Sequence, residues 1–124
     1  MKIMIVDDEP DVRPLFEQRF RREIRDGNLE LIFAYSGEEA LQRLADSALV
    51  LILSDINMPG MDGLELLRRI RAQHPQLPPA VLMVSAYGDA QNQEQARALG
   101  ADDFLTKPVN FNRLKTILAQ YNEV

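Results

Sequence analysis

The chain has 124 residues, 46% hydrophobic and 27% charged, with a net charge of -5 and no cysteine. That is enough for one domain, 1–124, with a real core, and it excludes a disulfide framework or a thiolate metal site. The acidic balance argues against direct nucleic-acid binding, which needs a basic face. No apolar run approaches a membrane span and no signal peptide is visible, so a cytoplasmic protein without membrane contact is expected.

Lys2 to Val6 is a short apolar run, read as the first strand, and it ends at Asp7-Asp8-Glu9. Pro10 opens a helix whose apolar positions Val12, Phe16, Phe20 and Ile24 recur every four residues, with Leu15 widening the stripe. Pro14 falls at the end of that helix's first turn and is expected to bend it. Arg19, Arg21, Arg22 and Arg25 gather near its end, where cations favour the dipole. Asp26-Gly27-Asn28 stops it.

Leu29 to Ala34 reads as the second strand. Ser36 and Glu39 form a capping box before a second helix, which should bury Ala40, Leu41, Leu44 and Ala45. Leu49 to Leu53 is an apolar run that stops at a carboxylate, Asp55, and suits a third strand buried on both faces. Met58-Pro59-Gly60 and Asp62-Gly63 mark the turn after it, with Gly60 and Gly63 serving backbone geometry and Met58 and Met61 packing the loop. Asp62 caps the third helix with Glu65 at capping-box distance, and Leu64, Leu67 and Ile70 should face inward. His74 begins a stiff loop to Pro79 and is read as a surface residue.

Ala80 to Val84 is the fourth strand, ending at Ser85. Asp89 caps a polar fourth helix, Ala90 to Leu99, whose inward stripe of Ala90, Ala96 and Leu99 is thin, a mark of low local stability. Ala101 to Thr106 is the fifth strand, ending at Lys107-Pro108. Asn110 caps a fifth helix with Phe111, Leu114, Ile117, Leu118 and Tyr121 on one face.

Strand and helix alternate five times. Short connections and right-handed crossovers then give an α/β three-layer sandwich, a flavodoxin-like (βα)5 arrangement with a five-stranded parallel sheet. The strand order 2-1-3-4-5 is preferred, because a Rossmann sheet needs a sixth strand and a glycine fingerprint after the first. That order brings Asp7, Asp8, Asp55, Ser85 and Lys107 to one crevice at the carboxyl ends of the strands. Three carboxylates there repel, each pair by roughly 3 kcal/mol at ~5 Å and an effective dielectric near 20. Oxygen donors without Cys or a nearby His suit a hard divalent ion, Mg²⁺ first, with Mn²⁺ as a substitute. With the Lys107 ammonium and the Ser85 hydroxyl, such a crevice suits a phosphoryl group, and Asp55 can act as the nucleophile that forms an acyl phosphate.

Four motifs carry a family likeness: Val-Asp-Asp-Glu-Pro (6–10), Ser-Asp-Ile-Asn-Met-Pro-Gly-Met-Asp-Gly (54–63), Val-Ser-Ala (84–86) and Gly-Ala-Asp-Asp-Phe-Leu-Thr-Lys-Pro (100–108). The chain resembles the receiver domain of bacterial two-component response regulators over essentially its whole length. The resemblance implies that Asp55 is the phospho-acceptor. It implies that Asp8, Asp55 and the backbone carbonyl of Asn57 bind Mg²⁺, with Asp7 acting mostly through water. It implies that Ser85 and Lys107 contact the phosphoryl oxygens, that the Lys107–Pro108 bond is cis, and that Ser85 and Phe104 are the switch residues. The implied partners are a sensor histidine kinase and a downstream effector domain or protein, met through the face of the fourth helix, fifth strand and fifth helix. A homodimer through that face is also compatible.

Asn57 and Tyr87 lie where the family tunes acyl-phosphate lifetime, and a bulky Tyr87 is expected to shield the phosphate from water. On this reading the domain is a switch and not a turnover enzyme. A phosphatase of the haloacid dehalogenase type would need Asp-x-Asp after the first strand and room for a cap. A phosphorylation-independent binding module would lack one of the acids or the lysine.

Overall fold

Five short apolar segments form the sheet and the intervening amphipathic segments cover it. The computed structural model describes residues 1–46, 48–86 and 90–121. In chain order the elements are β1 (Lys2–Val6), α1 (Val12–Arg19), α2 (Arg21–Arg25), β2 (Glu30–Ala34), α3 (Gly37–Arg43), β3 (Leu49–Asp55), α4 (Gly63–Gln73), β4 (Ala80–Ser85), α5 (Ala90–Ala98), β5 (Asp103–Thr106) and α6 (Phe111–Tyr121). All strand pairs are parallel and the order is β2-β1-β3-β4-β5, as expected.

The period of two along each strand splits the core into two halves. Ile3 and Ile5 of β1, with Leu51 and Leu53 of β3, pack on Phe16, Phe20, Leu114, Ile117 and Leu118 of the α1–α6 layer. Met4, Val6 and Ile52 point the other way, onto Ala40, Leu66, Leu67, Ile70 and Ala96 of the α3–α4–α5 layer. Every residue of β4 is buried, so its run reads as continuously apolar until Ser85. Each fully buried Leu, Ile or Phe contributes about 1.5–3 kcal/mol. An edge-on contact between Phe16 and Phe111, ring centres 5.1 Å apart, ties α1 to α6.

The first helix departs from expectation in three ways. It begins at Val12, so Pro14 is its third residue, where no intrahelical acceptor awaits an N–H, and no break occurs there. The break comes at Phe20, whose φ/ψ of -109/19 separates α1 from α2, although its N–H still reaches Phe16 O at 3.0 Å. Val12, Phe16 and Phe20 face the core, but Leu15 is 42% and Ile24 37% exposed. The arginine cluster is solvated at this helix end, with Arg25 paired to Asp26 at 3.4 Å and Arg19 over the Phe111 ring.

The cap at Ser36 is made: its hydroxyl accepts the Glu39 N–H at 3.1 Å, while Glu39 reaches back to the Tyr35 N–H. Asp62 accepts from the Glu65 N–H at 2.9 Å, but Glu65 turns its carboxylate to Arg68 and Arg69 instead of completing the box. Asn110 accepts the Arg113 N–H at 3.0 Å. In α4 the buried leucines are Leu66 and Leu67, with Leu64 only partly covered. Ala45 and Ala90 are exposed, so α3 and α5 rest on fewer residues than the pattern suggested, and α5 buries Ala96 alone. Tyr87 and Asp89 lie outside the described residues.

Candidate functional site

In the order β2-β1-β3-β4-β5 the chain runs outward in both directions from the β1/β3 pair, and ligands in such sheets bind at the carboxyl ends beside that reversal. Asp7 follows β1 directly, its N–H still held by Ala34 O at 3.1 Å. Asp55 is the last residue of β3. Both are nearly buried, at 7% and 5% exposure. Asp8 is the more open of the acids, and one oxygen from each of Asp7, Asp8 and Asp55 lies within 4.8 Å of the others.

Lys107 comes from β5, two strands away from β3. Its N–H donates to Ser85 O at 2.8 Å, which fixes the β5 tip beside β4. From there its ammonium reaches inward, 3.1 Å from Asp55 Oδ2 and 3.2 Å from Asp7 Oδ2. The other carboxylate oxygens take backbone donors: Asn57 N–H to Asp55 Oδ1 at 3.2 Å, and Glu9 N–H to Asp7 Oδ1 at 3.0 Å. Ser85 is fully buried at the end of β4. The Lys107–Pro108 peptide is cis.

Burial pushes the Asp55 carboxyl above its ordinary value; the Lys107 ammonium opposes this, the Asp7 charge adds to it, and the Asn57 N–H opposes it. Burial alone would lower the Lys107 ammonium, but its hydrogen bond to Asp55 and the charges of Asp7 and Asp55 outweigh that and hold it raised. Among the described residues the Lys107 ammonium meets two of the three clustered acids, Asp7 and Asp55. The surplus negative charge, the all-oxygen donor set and the tight spacing fit a hard divalent cation such as Mg²⁺. Asp7, Asp8 and Asp55 are the side chains that would hold it.

The model of the response regulator receiver domain family matches residues 3–119. The chain belongs to that family. The response regulator protein PilR of Pseudomonas aeruginosa is 42% identical over 118 residues, which are 95% of this chain and 25% of that protein. The DNA-binding transcriptional regulator NtrC of Escherichia coli is 36% identical over 110 residues, 89% of this chain and 22% of that protein. The chain thus spans about a quarter of the length of these curated relatives. Among solved structures, the receiver domain of NtrX from Brucella abortus aligns with a TM-score of 0.81 at 35% identity, covering 98% of each chain. The chemotaxis protein CheY4 of Vibrio cholerae aligns with a TM-score of 0.82 at 28% identity, covering 97% of each.

In this receiver domain Phe104 lies apart from the acids. It is half-buried opposite Met83 and packs on the half of the core that holds Ala96. Asn57 is exposed on the loop after Asp55. Met58 is buried and Met61 rests on Gly37, so both pack the loop as expected. His74 ends α4 with its N–H on Ile70 O, far from the acids. Among the described residues no helix is long and apolar enough to cross a membrane.

Two features escaped sequence reasoning. A cleft of about 710 Å³ runs from Asp55 and Lys107 to Val12, Leu15, Phe16 and Phe111, so exposed Leu15 lines the approach to the site. Its only sequence signal was a surplus apolar residue beside the helix stripe. The second is the contact of Gly63 with the backbone of Asp55, hidden behind an ordinary turn signal.

Proposed function

We propose that this domain is a phosphorylation switch whose acceptor is Asp55. The observation that carries the reading is Lys107, whose ammonium bridges Asp55 and Asp7 and marks where new negative charge would settle. The donor would be a phosphohistidine of a sensor histidine kinase, approaching over the cleft beside α1. An Asp55 carboxylate oxygen attacks phosphorus, the P–N bond breaks, and the electron pair stays on the departing imidazole. The product is an acyl phosphate on Asp55.

Mg²⁺, or Mn²⁺ in its place, would be held by Asp8, Asp55 and the Asn57 carbonyl, with Asp7 acting through water, and would neutralise charge on the phosphoryl oxygens. Lys107 pairs with those oxygens as well. Ser85 donates its hydroxyl to them once the backbone shifts toward the phosphate. Phe104 then turns inward and the α5–β5–α6 face changes shape to meet an effector domain or protein, or a second copy of the chain. A near-complete shift needs about 5.5 kcal/mol of differential stabilisation, which charge-assisted contacts made only in the active form can supply. The domain catalyses only its own phosphorylation and dephosphorylation, and it works in the cytoplasm without touching nucleic acid.

The test is incubation with acetyl phosphate and Mg²⁺ followed by intact mass. One phosphate on the wild type and none on Asp55→Asn is the expected result. Continuous release of phosphate from a generic ester would instead favour an enzyme.

A further inference from the structure

The acceptor's own backbone is held by three contacts that lie outside the acid cluster. The Ile56 N–H donates to Val84 O at 2.8 Å, continuing the β3–β4 ladder past Asp55. The Ile56 carbonyl accepts the Gly63 N–H at 2.8 Å, folding the start of α4 back onto the strand end. The Asp55 carbonyl accepts the hydroxyl of Ser54 at 3.1 Å.

Ser54 is 1% exposed in a strand whose other buried residues, apart from Asp55 itself, are apolar. A buried hydroxyl there costs free energy unless it is bonded, and the bond it makes is to the acceptor residue itself. Gly63 is tighter still. A Cβ at that position would overlap the Asp55 carbonyl oxygen and sit 2.7 Å from the Ile56 Cα, and neither is a flexible side chain that could yield.

We infer that Ser54 and Gly63 are positioning residues for phosphoryl transfer: together they clamp the Asp55–Ile56 peptide and so aim the Asp55 carboxylate at Lys107 and the metal. This rests on the reading of Asp55 as acceptor. The carboxylate is reached through only two side-chain torsions from the clamped backbone, and its Oδ1 takes the N–H of Asn57 on the same stretch. A shift of the peptide therefore moves the reacting oxygen, the Asn57 amide and the loop carbonyl together. Misplacement of a reacting group by about 1 Å costs on the order of 10²-fold in rate.

The experiment compares wild type with Ser54→Ala, Gly63→Ala and Gly27→Ala. Initial labelling rates by acetyl phosphate are measured across a Mg²⁺ titration, with far-UV dichroism and thermal melting to establish folding. Gly27 has φ +78 with open space around it, away from the acids, so Gly27→Ala strains the backbone without touching the clamp. Gly63→Ala should label at least about tenfold more slowly and need more Mg²⁺ for half-maximal rate, while Gly27→Ala labels as wild type. Ser54→Ala should label about two- to fivefold more slowly with a melting temperature close to wild type. If Gly63→Ala does not fold, Ser54→Ala carries the test alone. Wild-type rates and Mg²⁺ dependence in the folded variants would overturn the inference. Failure of wild type itself to label would instead remove the acceptor reading.

Discussion

Replacing Lys107 with alanine tests the electrostatics of the site without relying on phosphorylation. The ammonium stands 3.1 Å from Asp55 and 3.2 Å from Asp7. At an effective dielectric near 20 each contact carries about 5 kcal/mol of gross attraction, most of it offset by the cost of desolvating the ions. Breaking a buried pair costs about 3–5 kcal/mol, and the 27% exposure of the Lys107 side chain lowers this through solvent screening to about 2 kcal/mol for Lys107→Ala. The acids left behind, with oxygens within 4.8 Å, repel by about 3.5 kcal/mol gross per pair.

A divalent cation relieves that repulsion and no longer competes with the ammonium. The variant should therefore bind Mg²⁺ more tightly than wild type: at a concentration 100 times its own dissociation constant it gains about 2.7 kcal/mol, and wild type gains less at that same concentration. Urea denaturation of both proteins at neutral pH, in EDTA and in saturating MgCl₂, measures all four stabilities. A loss below about 0.5 kcal/mol in EDTA, or an equal Mg²⁺ gain in both proteins, would refute the reasoning, since a lysine that truly balances these acids cannot be removed so cheaply.

Asp55→Asn should stabilise the apo protein at neutral pH. Burial raises the folded carboxyl above its unfolded value, so the folded state binds more protons between the two, and wild-type stability falls as pH rises through that window and stays low above it. Urea melts from acid to neutral pH should show the variant's advantage vanishing below the ordinary carboxylate range; a constant difference contradicts this. Ser36→Ala loses the cap on α3 and should cost about 1 kcal/mol, with Ser36→Asp restoring most of it by thermal melting. Arg71, 12% exposed, donates to Gly100 O and Pro79 O at 2.9 Å each and to Asp102 at 2.6 Å, and Asp102 also takes the Val81 N–H. Arg71→Ala should cost about 3 kcal/mol, and Arg71→Lys should recover less than half, because one ammonium cannot span three acceptors in a fixed fork. A loss under about 1 kcal/mol by urea denaturation would show those bonds to be worth little.

The sequence by itself determined most of the elements and the residue types at their ends. Apolar runs, the caps at Ser36, Asp62 and Asn110, and the acids at the ends of the first and third strands all act within a few residues, so local pattern reports them. Tertiary structure decided the rest. The break at Phe20 and the exposure of Leu15 and Ile24 are not encoded in the helical period. Lys107 meets Asp55 across 52 residues and Asp7 across 100, a meeting that the strand order alone brings about. The reach of Arg71 to Gly100 O and Asp102 likewise joins distant segments, while the close seat of Gly63 on the Asp55 backbone depends on how the start of α4 folds back onto the strand end. Short-range forces are written along the chain, whereas the partners of a buried charge exist only once the sheet has been assembled.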